Sequence, residues 1–357
     1  MDDQTLCRHF GTCGGCATQD RPLAETHNDK RAHLQKALAR QRIEIDLPPL
    51  FDAHGAGRRR ATFNIRRGKG APVVGFSERA SHAIVNLEEC RLLEPGLWAS
   101  IEAIRDLSEV FLRKTDAIRA LATLTQSGVD LDVVGFPGGA KALNADMRAQ
   151  LAKRAAELNF ARLSVGGEPI ANLRPPRLLM GPAEMSPPPG AFLQPTALGE
   201  ETLANFAVQI VDGAKTVADL FSGCGPFALR IAQKSSVHAV EYAAPMLEAL
   251  SAAAKHVSGL KPITTARRDL HLNPLGPKEL EAFQAVVLDP PRAGAREQAK
   301  ALAQSKVKTI AFIACDAESF ARDAAILIAG GYKLQSVQAL DQFRWSHHIE
   351  VMADFRR

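Results

Sequence analysis

The second half of the chain alternates short apolar runs with helical patterns, and this alternation restricts the possible folds more than any other feature. Strand-like runs at 217–221, 237–241, 285–289 and 309–314 are separated by helix-like segments at 227–233, 245–255 and 318–329. This rhythm predicts a doubly wound α/β sheet whose parallel strands are covered by helices. Ligands bind beyond the carboxyl ends of such strands, so residues at those ends become the candidates for chemistry.

Loop-forming residues between positions 174 and 190 divide the chain. Prolines stand at 175, 176, 182 and 187–189, with Gly181 and Gly190 beside them, and such density marks a domain boundary. Before it, residues 23–43 have helical spacing, short strand-like pieces fill most of 51–178, and a helix is expected at 98–113. We therefore expect a β-rich domain from 1–21 and 51–185, a helix within 22–50 that packs on the catalytic domain, and an α/β catalytic domain at 186–357.

Composition excludes several classes of protein. The 357 residues are 46% hydrophobic and 23% charged, and no stretch approaches the roughly 18 to 20 apolar residues that span a bilayer. The first thirty residues carry no apolar run of the signal-peptide type. We expect a cytoplasmic protein without membrane contact, monomeric by default, whose formal net charge of +5 is compatible with a polyanionic partner.

The first strand ends of the α/β half carry an acidic and glycine-rich pattern. Asp219 is followed by a turn containing Gly223 and Gly225, and Glu241 ends the next strand. Paired glycines let the backbone approach a ligand, and an acid at the second strand end accepts hydrogen bonds from ribose hydroxyls. The full G-x-G-x-x-G pattern is absent. With acids also at Asp269 and at the end of the 285–289 strand, this pattern favours S-adenosylmethionine over a nicotinamide cofactor, although a glycine pair also occurs in plain strand-to-helix turns.

Two later strand ends carry reactive groups. Asp289 is followed by Pro290, Pro291 and Arg292, a stiff turn that can hold a carboxylate beside a reacting centre. Cys315 directly follows the apolar run 309–314. A cysteine in this position is either a small buried hydrophobe or a nucleophile. The strand-end position alone leaves both interpretations open, and only together with the flanking motifs does it favour the nucleophile.

Four cysteines near the start have the spacing of metal ligands. Cys7 lies six residues before Cys13, a Gly14-Gly15 bend joins Cys13 to Cys16, and Cys90 lies far along the chain. In a reducing compartment such residues are more often ligands or catalysts than disulfides. Zinc and an iron–sulfur cluster both accept four thiolates, so the spacing alone leaves both open.

The charge is concentrated in one segment. Residues 58–69 contain six basic residues and no acid, in strand-like alternation. A charged strand edge that prevents sheet association is one interpretation, and contact with nucleic-acid phosphates is the one we favour. The candidate RNA-binding side chains share this segment: Arg58, Arg59, Arg60, Phe63, Arg66 and Arg67.

Taken together, these motifs resemble those of the RNA uracil C5-methyltransferases, and the resemblance covers nearly the whole chain. Cys7, Cys13, Cys16 and Cys90 are similar to the iron–sulfur motif of the ribosomal members. Other matching segments are Phe192-Leu-Gln194, the 219–227 turn, Asp289-Pro-Pro-Arg292, Ala314-Cys315 and His348-Ile-Glu350.

The resemblance implies a Rossmann-like S-adenosylmethionine-dependent methyltransferase domain behind an N-terminal and central β-rich iron–sulfur domain that holds a [4Fe-4S] cluster. It implies cofactor contacts from a set of residues along the α/β half: Gln194, Phe221, Gly223, Gly225, Pro226, Glu241, Asp269 and Asp289. Cys315 would add to C6 of uracil, and Glu350 would remove the C5 proton. The chain departs from the family pattern at Pro226, Asp316 and Thr196.

The resemblance implies RNA as the partner, and the cluster motif favours 23S ribosomal RNA. Methylation of a transfer-RNA uridine and a non-catalytic RNA-binding assembly factor that keeps the fold are the alternatives. An amine-directed RNA methyltransferase is disfavoured, because that chemistry has no need of Cys315 or Glu350.

Overall fold

The computed structural model describes residues 6–357. Helical segments occur along the whole described chain, and a short 3-10 turn spans Gly139–Ala142. The α-helices, in chain order, are α1 Leu23–Arg40, α2 Pro95–Trp98, α3 Ile101–Leu112, α4 Ala145–Glu157, α5 Ala197–Ile210, α6 Ala228–Ile231, α7 Ala244–Lys255, α8 Pro277–Leu280, α9 Arg296–Ala303 and α10 Ala317–Ala329.

The strands form two large sheets and one small hairpin. In chain order they are β1 Phe51–Asp52, β2 Arg60–Arg66, β3 Val73–Ser77, β4 Ile84–Asn86, β5 Ala117–Thr125, β6 Gly128–Val134, β7 Arg162–Val165, β8 Glu168–Asn172, β9 Leu178–Met180, β10 Ala183–Met185, β11 Thr216–Leu220, β12 Ser236–Glu241, β13 Ile263–Arg267, β14 Ala285–Leu288, β15 Thr309–Ala314, β16 Lys333–Asp341 and β17 Glu350–Arg356.

The C-terminal sheet has eight strands in the order β1-β16-β17-β15-β14-β11-β12-β13. Its pairings are parallel except the two that β17 makes with β15 and β16. The strand order reverses between β11 and β14, which is where an α/β sheet of this type opens a crevice for ligands. The predicted α/β fold class is thereby confirmed.

Both faces of the eight-stranded sheet are buried, which explains why its central strands are apolar throughout. Successive side chains of a strand point to opposite faces. Leu220 accordingly packs in the core that includes Leu38 of α1, whereas Val217 packs in the core that includes Leu203 of α5. Helix α1 therefore contributes its apolar stripe to the C-terminal sheet.

The seven-stranded sheet has the order β4-β3-β2-β5-β6-β7-β8. Phe63 and Ile65 alternate with more exposed neighbours along β2 and pack in a core with Ile104 of α3 and Leu151 of α4. Helices thus cover this face of the sheet. The side chains that point the other way from β2, Thr62, Asn64 and Arg66, are polar.

Two details differ from the sequence-based expectation. Residues 51–52 pair with β16 of the eight-stranded sheet, although the sequence pattern assigned them to the β-rich part. Helices α4, α5 and α9 were not predicted from the sequence. In α4 the buried apolar positions are few, Leu151 and Ala155, and lie among other alanines. Within the part of the chain that the structure describes, no helix is both long and apolar enough to cross a membrane.

Candidate active site

Cys315 lies where β15 ends and α10 is about to begin. Strand β15 is buried, and the Asp316 side chain accepts a hydrogen bond of 2.9 Å from the Ser319 amide, which starts the helix. The Cys315 side chain is partly exposed. Burial, followed by the nearby carboxylates of Glu350 and Asp289, raises the pKa of the Cys315 thiol to about 12. The free site therefore holds a protonated thiol, which must lose its proton before it can attack.

Glu350 is brought next to this cysteine by strand pairing. It is the first residue of β17, and its neighbour Val351 pairs with Ala314 of β15. The carboxyl group is 3% exposed, and burial raises its pKa to about 8 even though a hydrogen bond from Gln342 acts in the opposite direction. A carboxyl group with a pKa near the working pH is suited to general base catalysis.

Asp289 completes this cluster at the end of β14, the strand beside β15. Its amide donates to the Leu220 carbonyl at 3.3 Å, which fixes the start of the proline turn. Burial and then the charge of Glu350 raise the pKa of Asp289 well above its usual range. Three groups from sequence-distant strand ends, Cys315, Glu350 and Asp289, therefore interact in one place.

The glycine turn after β11 has the shape of a ligand cradle. Phe221 adopts a left-handed φ of 61° and Gly225 one of 80°. A side-chain carbon at Gly225 would lie 2.4 Å from Leu250 Cδ1, so only glycine fits there. Asp219 is fully buried, accepts a 3.0 Å hydrogen bond from the Ala228 amide through Oδ2, and has its pKa raised to about 8 by burial, with smaller contributions from nearby carboxylates.

Glu241 closes the other side of this turn. Its Oε2 accepts from the Gly223 amide at 3.1 Å and its Oε1 from the Ala243 amide at 3.0 Å. Each carboxylate oxygen keeps a second acceptor direction, so ribose hydroxyls can still donate to Glu241. At Pro226, the carbonyl accepts a 2.7 Å hydrogen bond from Arg230 Nη1, which ties the turn to α6.

Asp269 stabilises the turn that follows β13. Its Oδ1 accepts hydrogen bonds from the His271 amide at 3.0 Å and from the Leu272 amide at 3.3 Å. The His271 ring lies 5.3 Å from the Phe221 ring between centroids. Asp269 therefore shapes the rim of the same crevice through the aromatic neighbour of the glycine turn.

Gln194 approaches the cluster from the segment before α5. Its side chain is 7% exposed, and its Oε1 accepts a 2.6 Å hydrogen bond from Gln342 Nε2. Thr196 caps α5, because its hydroxyl accepts from the Gly199 amide at 3.0 Å and donates to the Ala53 carbonyl at 2.7 Å.

The sequence analysis did not single out Gln342. Its only sequence signal is its position near the terminal motif, eight residues before Glu350.

The four N-terminal cysteines share one cavity. Cys7, Cys13, Cys16 and Cys90 line it, and burial raises the pKa of all four thiols, to about 12 for Cys16 and about 11 for Cys90. Across residues 6–357, no group of three or more His, Cys, Asp or Glu side chains is arranged to hold a single metal ion. The structure therefore gathers the thiols without forming a one-ion site.

The predicted RNA-binding segment divides into buried and exposed side chains. Phe63 is fully buried against Phe76, with ring centroids 5.6 Å apart, so the prediction that it contacts RNA is wrong. The cause is the strand alternation, which turns position 63 to the core. Arg59 is also buried: its guanidinium pairs with Glu200 at 2.6 Å and donates to the Gln194 carbonyl at 3.2 Å. Arg59 therefore joins the two parts of the chain instead of facing solvent.

The other basic residues of the segment differ in exposure. Burial lowers the pKa of Arg58 and of Arg60, and the Arg60 guanidinium lies 5.2 Å from the centroid of the exposed Phe192 ring. Arg66 and Arg67 are exposed. Arg58, Arg60 and Phe192 also line a common groove of about 330 Å³. A groove with arginines and an exposed aromatic ring is suited to phosphates and bases.

Comparison with known proteins shows that this chain is similar to RNA methyltransferases. The model of the tRNA (uracil-5-)-methyltransferase family matches residues 186–354. An uncharacterized RNA methyltransferase of Brucella suis is 42% identical over 97% of this chain and 83% of its own length. The 23S rRNA (uracil(1939)-C(5))-methyltransferase RlmD of Chromohalobacter salexigens is 29% identical over 97% of this chain and 74% of its own.

A solved structure has the same overall fold. The tRNA (uracil-54, C5)-methyltransferase of Pyrococcus abyssi, in complex with S-adenosyl-L-homocysteine, superposes with a TM-score of 0.73. The superposition covers 96% of this chain and 84% of that one, at 20% sequence identity.

Proposed function

Because the chain belongs to the RNA uracil C5-methyltransferase family, we propose that it methylates C5 of a specific uridine in 23S ribosomal RNA through Cys315 and Glu350. The observation that carries this proposal is the convergence of Cys315, Glu350 and Asp289 at neighbouring strand ends. A nucleophile beside a buried acid with a raised pKa is what C5 methylation of a weakly nucleophilic ring requires.

The reaction begins at Cys315. Its thiol gives its proton to solvent water on the exposed side of the residue, and the sulfur adds to C6 of uracil, which moves electron density onto C5 as an enolate. S-adenosylmethionine supplies the methyl group that C5 takes. Asp289, held at the end of β14, is positioned to bind the uracil edge and keep the ring in register. The uridine must leave its helical stack to reach a half-buried cysteine.

Glu350 acts at the end of the reaction. It removes the proton from C5, the electron pair forms the C5=C6 double bond, and the C6–S bond breaks so that the sulfur leaves as thiolate. The pKa of about 8 leaves the carboxyl group partly ionised near neutral pH, so it can both accept this proton and release it afterwards.

We propose that S-adenosylmethionine binds in the crevice between the glycine turn and Glu241. Gly223 and Gly225 allow close approach of the backbone, Glu241 accepts from the ribose, and Phe221 and Asp269 form the rim on the adenine side. Gln194 and Pro226 border the same crevice. The open space beside Gly223, where an added side-chain carbon would meet no atom within 4 Å, and the left-handed turn at Phe221 support this assignment.

For the cysteine cavity we propose a [4Fe-4S] cluster held by Cys7, Cys13, Cys16 and Cys90. The donor set fits, because four thiols line one cavity and such clusters take four cysteine ligands. The chain has a single Cys-x-x-Cys pair, whereas zinc sites more often have two, and its cysteine motif resembles that of the ribosomal members of the family; both points favour a cluster over zinc. The residues would serve folding or RNA positioning, since the cavity is separate from the Cys315 cluster.

RNA binding is proposed for the exposed part of the basic segment. Arg66 and Arg67 neutralise phosphates, and Arg58 and Arg60 border the groove beside Phe192. We also propose the division into a cluster-bearing, RNA-binding part (1–21 and 51–185), a helix at 22–50 that packs on the catalytic sheet, and a catalytic part (186–357). The strand at 51–52 joins the catalytic sheet.

The test measures tritium release from RNA labelled at uracil C5, with methyl uptake from S-adenosylmethionine measured in parallel. Unmodified 23S ribosomal RNA and unmodified transfer RNA serve as the two substrates, and wild type is compared with Cys315→Ala. We expect release and uptake in equal amounts on ribosomal RNA, and neither signal from Cys315→Ala.

Other outcomes each correct the proposal. Signal only on transfer RNA would change the substrate and keep the chemistry. Methyl uptake without tritium release would overturn C5 methylation in favour of an amine target. RNA binding with neither signal on either RNA would favour a non-catalytic assembly factor.

A further inference from the structure

Gln342 lies at the centre of a buried polar contact that joins two parts of the active site. Its side chain is fully buried, next to the nearly buried side chains of Gln194 and Glu350. Its Nε2 lies 2.6 Å from Gln194 Oε1 and 3.1 Å from Glu350 Oε1. One amide group therefore contacts both the general-base candidate and the glutamine on the cofactor side.

The chemistry of the three groups fixes the direction of these hydrogen bonds. A glutamine amide nitrogen carries two hydrogens and donates twice, whereas its oxygen only accepts. Both neighbours of Gln342 Nε2 are oxygen atoms, so the nitrogen uses one hydrogen on each. The Gln194 oxygen thereby uses one of its two acceptor directions on Gln342, and the Gln194 nitrogen is the donor group that remains for a ligand.

The same contact distinguishes the two oxygens of the Glu350 carboxyl group. Oε1 receives the Gln342 hydrogen, while Oε2 is buried and has no hydrogen-bond partner within residues 6–357. A buried polar atom without a partner is costly and marks a position where a ligand or a proton is expected. Oε2 is therefore the oxygen available to a substrate.

The backbone around Gln342 is held on both sides. Asp341 is fully buried and pairs with Lys30 Nζ of α1 at 2.7 Å. Lys30 also donates to the Phe343 carbonyl at 3.1 Å, and the Phe343 amide donates to Asp341 Oδ1 at 2.8 Å. Helix α5 leaves room for the amide, since a side-chain carbon at Gly199 would lie 2.3 Å from Gln342 Oε1. The position of Gln342 is thus set by three separate elements.

We propose that Gln342 is a positioning residue for methyl transfer, which holds Glu350 so that Oε2 takes the C5 proton and holds Gln194 so that its amide nitrogen faces the ligand crevice. The inference rests on the proposed function. In the final step the C5–H bond breaks, its electron pair forms the C5=C6 bond, the C6–S bond returns its pair to Cys315, and the proton ends on Glu350 Oε2. Without Gln342 the Glu350 carboxyl group can rotate, and Glu350 and Gln194 no longer share a hydrogen-bond donor.

The experiment replaces Gln342 by leucine and, separately, by methionine. Both residues have a similar volume, and both remove the two hydrogen bonds. Gln338→Leu serves as the matched control, because Gln338 lies on β16, the strand that ends one residue before Gln342, is partly buried and is outside the site. Single-turnover reactions on C5-tritiated RNA follow methyl transfer, tritium release and the covalent protein–RNA adduct across a pH range, and thermal melting reports folding.

We expect Gln342→Leu to slow tritium release about tenfold or more while methyl transfer falls less, so that the covalent adduct accumulates. A donated hydrogen bond stabilises the charged carboxylate, so its loss raises the pKa of Glu350. The acid limb of the release rate should therefore move upward by about 0.5 to 1 pH unit. Gln342→Met should behave like Gln342→Leu, and Gln338→Leu should match wild type.

Two results would overturn the inference. The first is a Gln342→Leu enzyme that has the wild-type pH profile and accumulates no adduct. The second is an equal loss of methyl transfer and tritium release without a pH shift, because a purely structural role would lower both rates together. If leucine prevents folding, the methionine variant decides by the same criteria. A wild type that forms no adduct and releases no tritium on any RNA would refute the proposed function and this inference together, whereas an active wild type isolates the role of Gln342.

Discussion

Cys16 and Cys315 are both partly buried cysteines whose thiol pKa is raised to about 12, yet their neighbours differ. Burial is the largest cause at both positions. At Cys16 the next causes are other thiols, Cys90 and Cys13. At Cys315 they are the carboxyl groups of Glu350 and Asp289. The same side chain is therefore set among potential ligands in one region and among potential acids and bases in the other.

A raised pKa therefore does not by itself identify the role of a cysteine. Thiols that face other thiols become stable thiolates only when a cation joins them, so that region is suited to a metal group. A thiol that faces carboxyl groups has partners that can exchange protons with a substrate, so that region is suited to catalysis. Changing one member of each group tests whether the two regions act as separate units.

The largest effect is expected from Glu350→Gln. The amide cannot take the C5 proton, so the methylated adduct on Cys315 should persist and turnover should fall by about 10²- to 10⁴-fold. Denaturing gel electrophoresis of protein mixed with labelled RNA detects the adduct as a stable shifted band.

Glu318→Gln is the matched control for this substitution, because Glu318 is exposed near the start of α10 and lies close to Cys315 in sequence. It should turn over like wild type. The double variant Glu350→Gln with Cys315→Ala should give no shifted band, because it has no thiol to form the adduct. A fully active Glu350→Gln enzyme would contradict the assignment of the carboxyl groups as proton acceptors and weaken the contrast between the two cysteine regions.

An intermediate effect is expected from Cys16→Ser. Loss of one ligand should remove the metal group and lower Tm by about 5 °C or more, since 1 kcal/mol shifts Tm by about 2–4 °C in a protein larger than 150 residues. Iron and zinc content by elemental analysis, together with thermal melting, measures this effect.

Adding Cys90→Ser to Cys16→Ser sharpens the test. Ligands of one group act as a unit, so the double variant should melt close to the single one. If the decreases in stability caused by the two substitutions simply add, Cys16 and Cys90 would be two independent packing residues. The cysteine cavity would then not differ from an ordinary core.

The smallest effect is expected from Arg66→Ala, outside both cysteine regions. Removing one exposed phosphate contact should weaken RNA binding a few-fold, and the slope of log K against log salt should fall in magnitude by about 1. Fluorescence anisotropy with labelled RNA at several salt concentrations measures both quantities.

Arg113→Ala, at the exposed end of α3, should leave affinity and slope unchanged. Equal effects from both arginines would point to a general charge effect instead of a defined surface on β2.

The regular elements of the catalytic sheet were predictable from local pattern. The strand expected at 309–314 is Thr309–Ala314, and the helix expected at 318–329 is Ala317–Ala329. Such elements are set by apolar runs and by capping residues such as Asp316, which are visible in the sequence. For Phe63 the local pattern was not enough. The alternation predicted the strand but not which of its faces packs against the helices, so Phe63 was placed on the RNA-facing side instead of in the core.

The α/β alternation, the acidic and glycine-rich strand ends, and the residue types available for chemistry can all be predicted from local sequence, because each depends on neighbours within a few positions. Which of these groups lie in contact depends on the folded chain. Gln342 reaches Gln194 and Glu350 because β16, β17 and the segment before α5 come together, and Arg59 reaches Glu200 across the two parts of the chain. Contacts between residues more than a hundred positions apart depend on sheet order and packing, which no local pattern encodes.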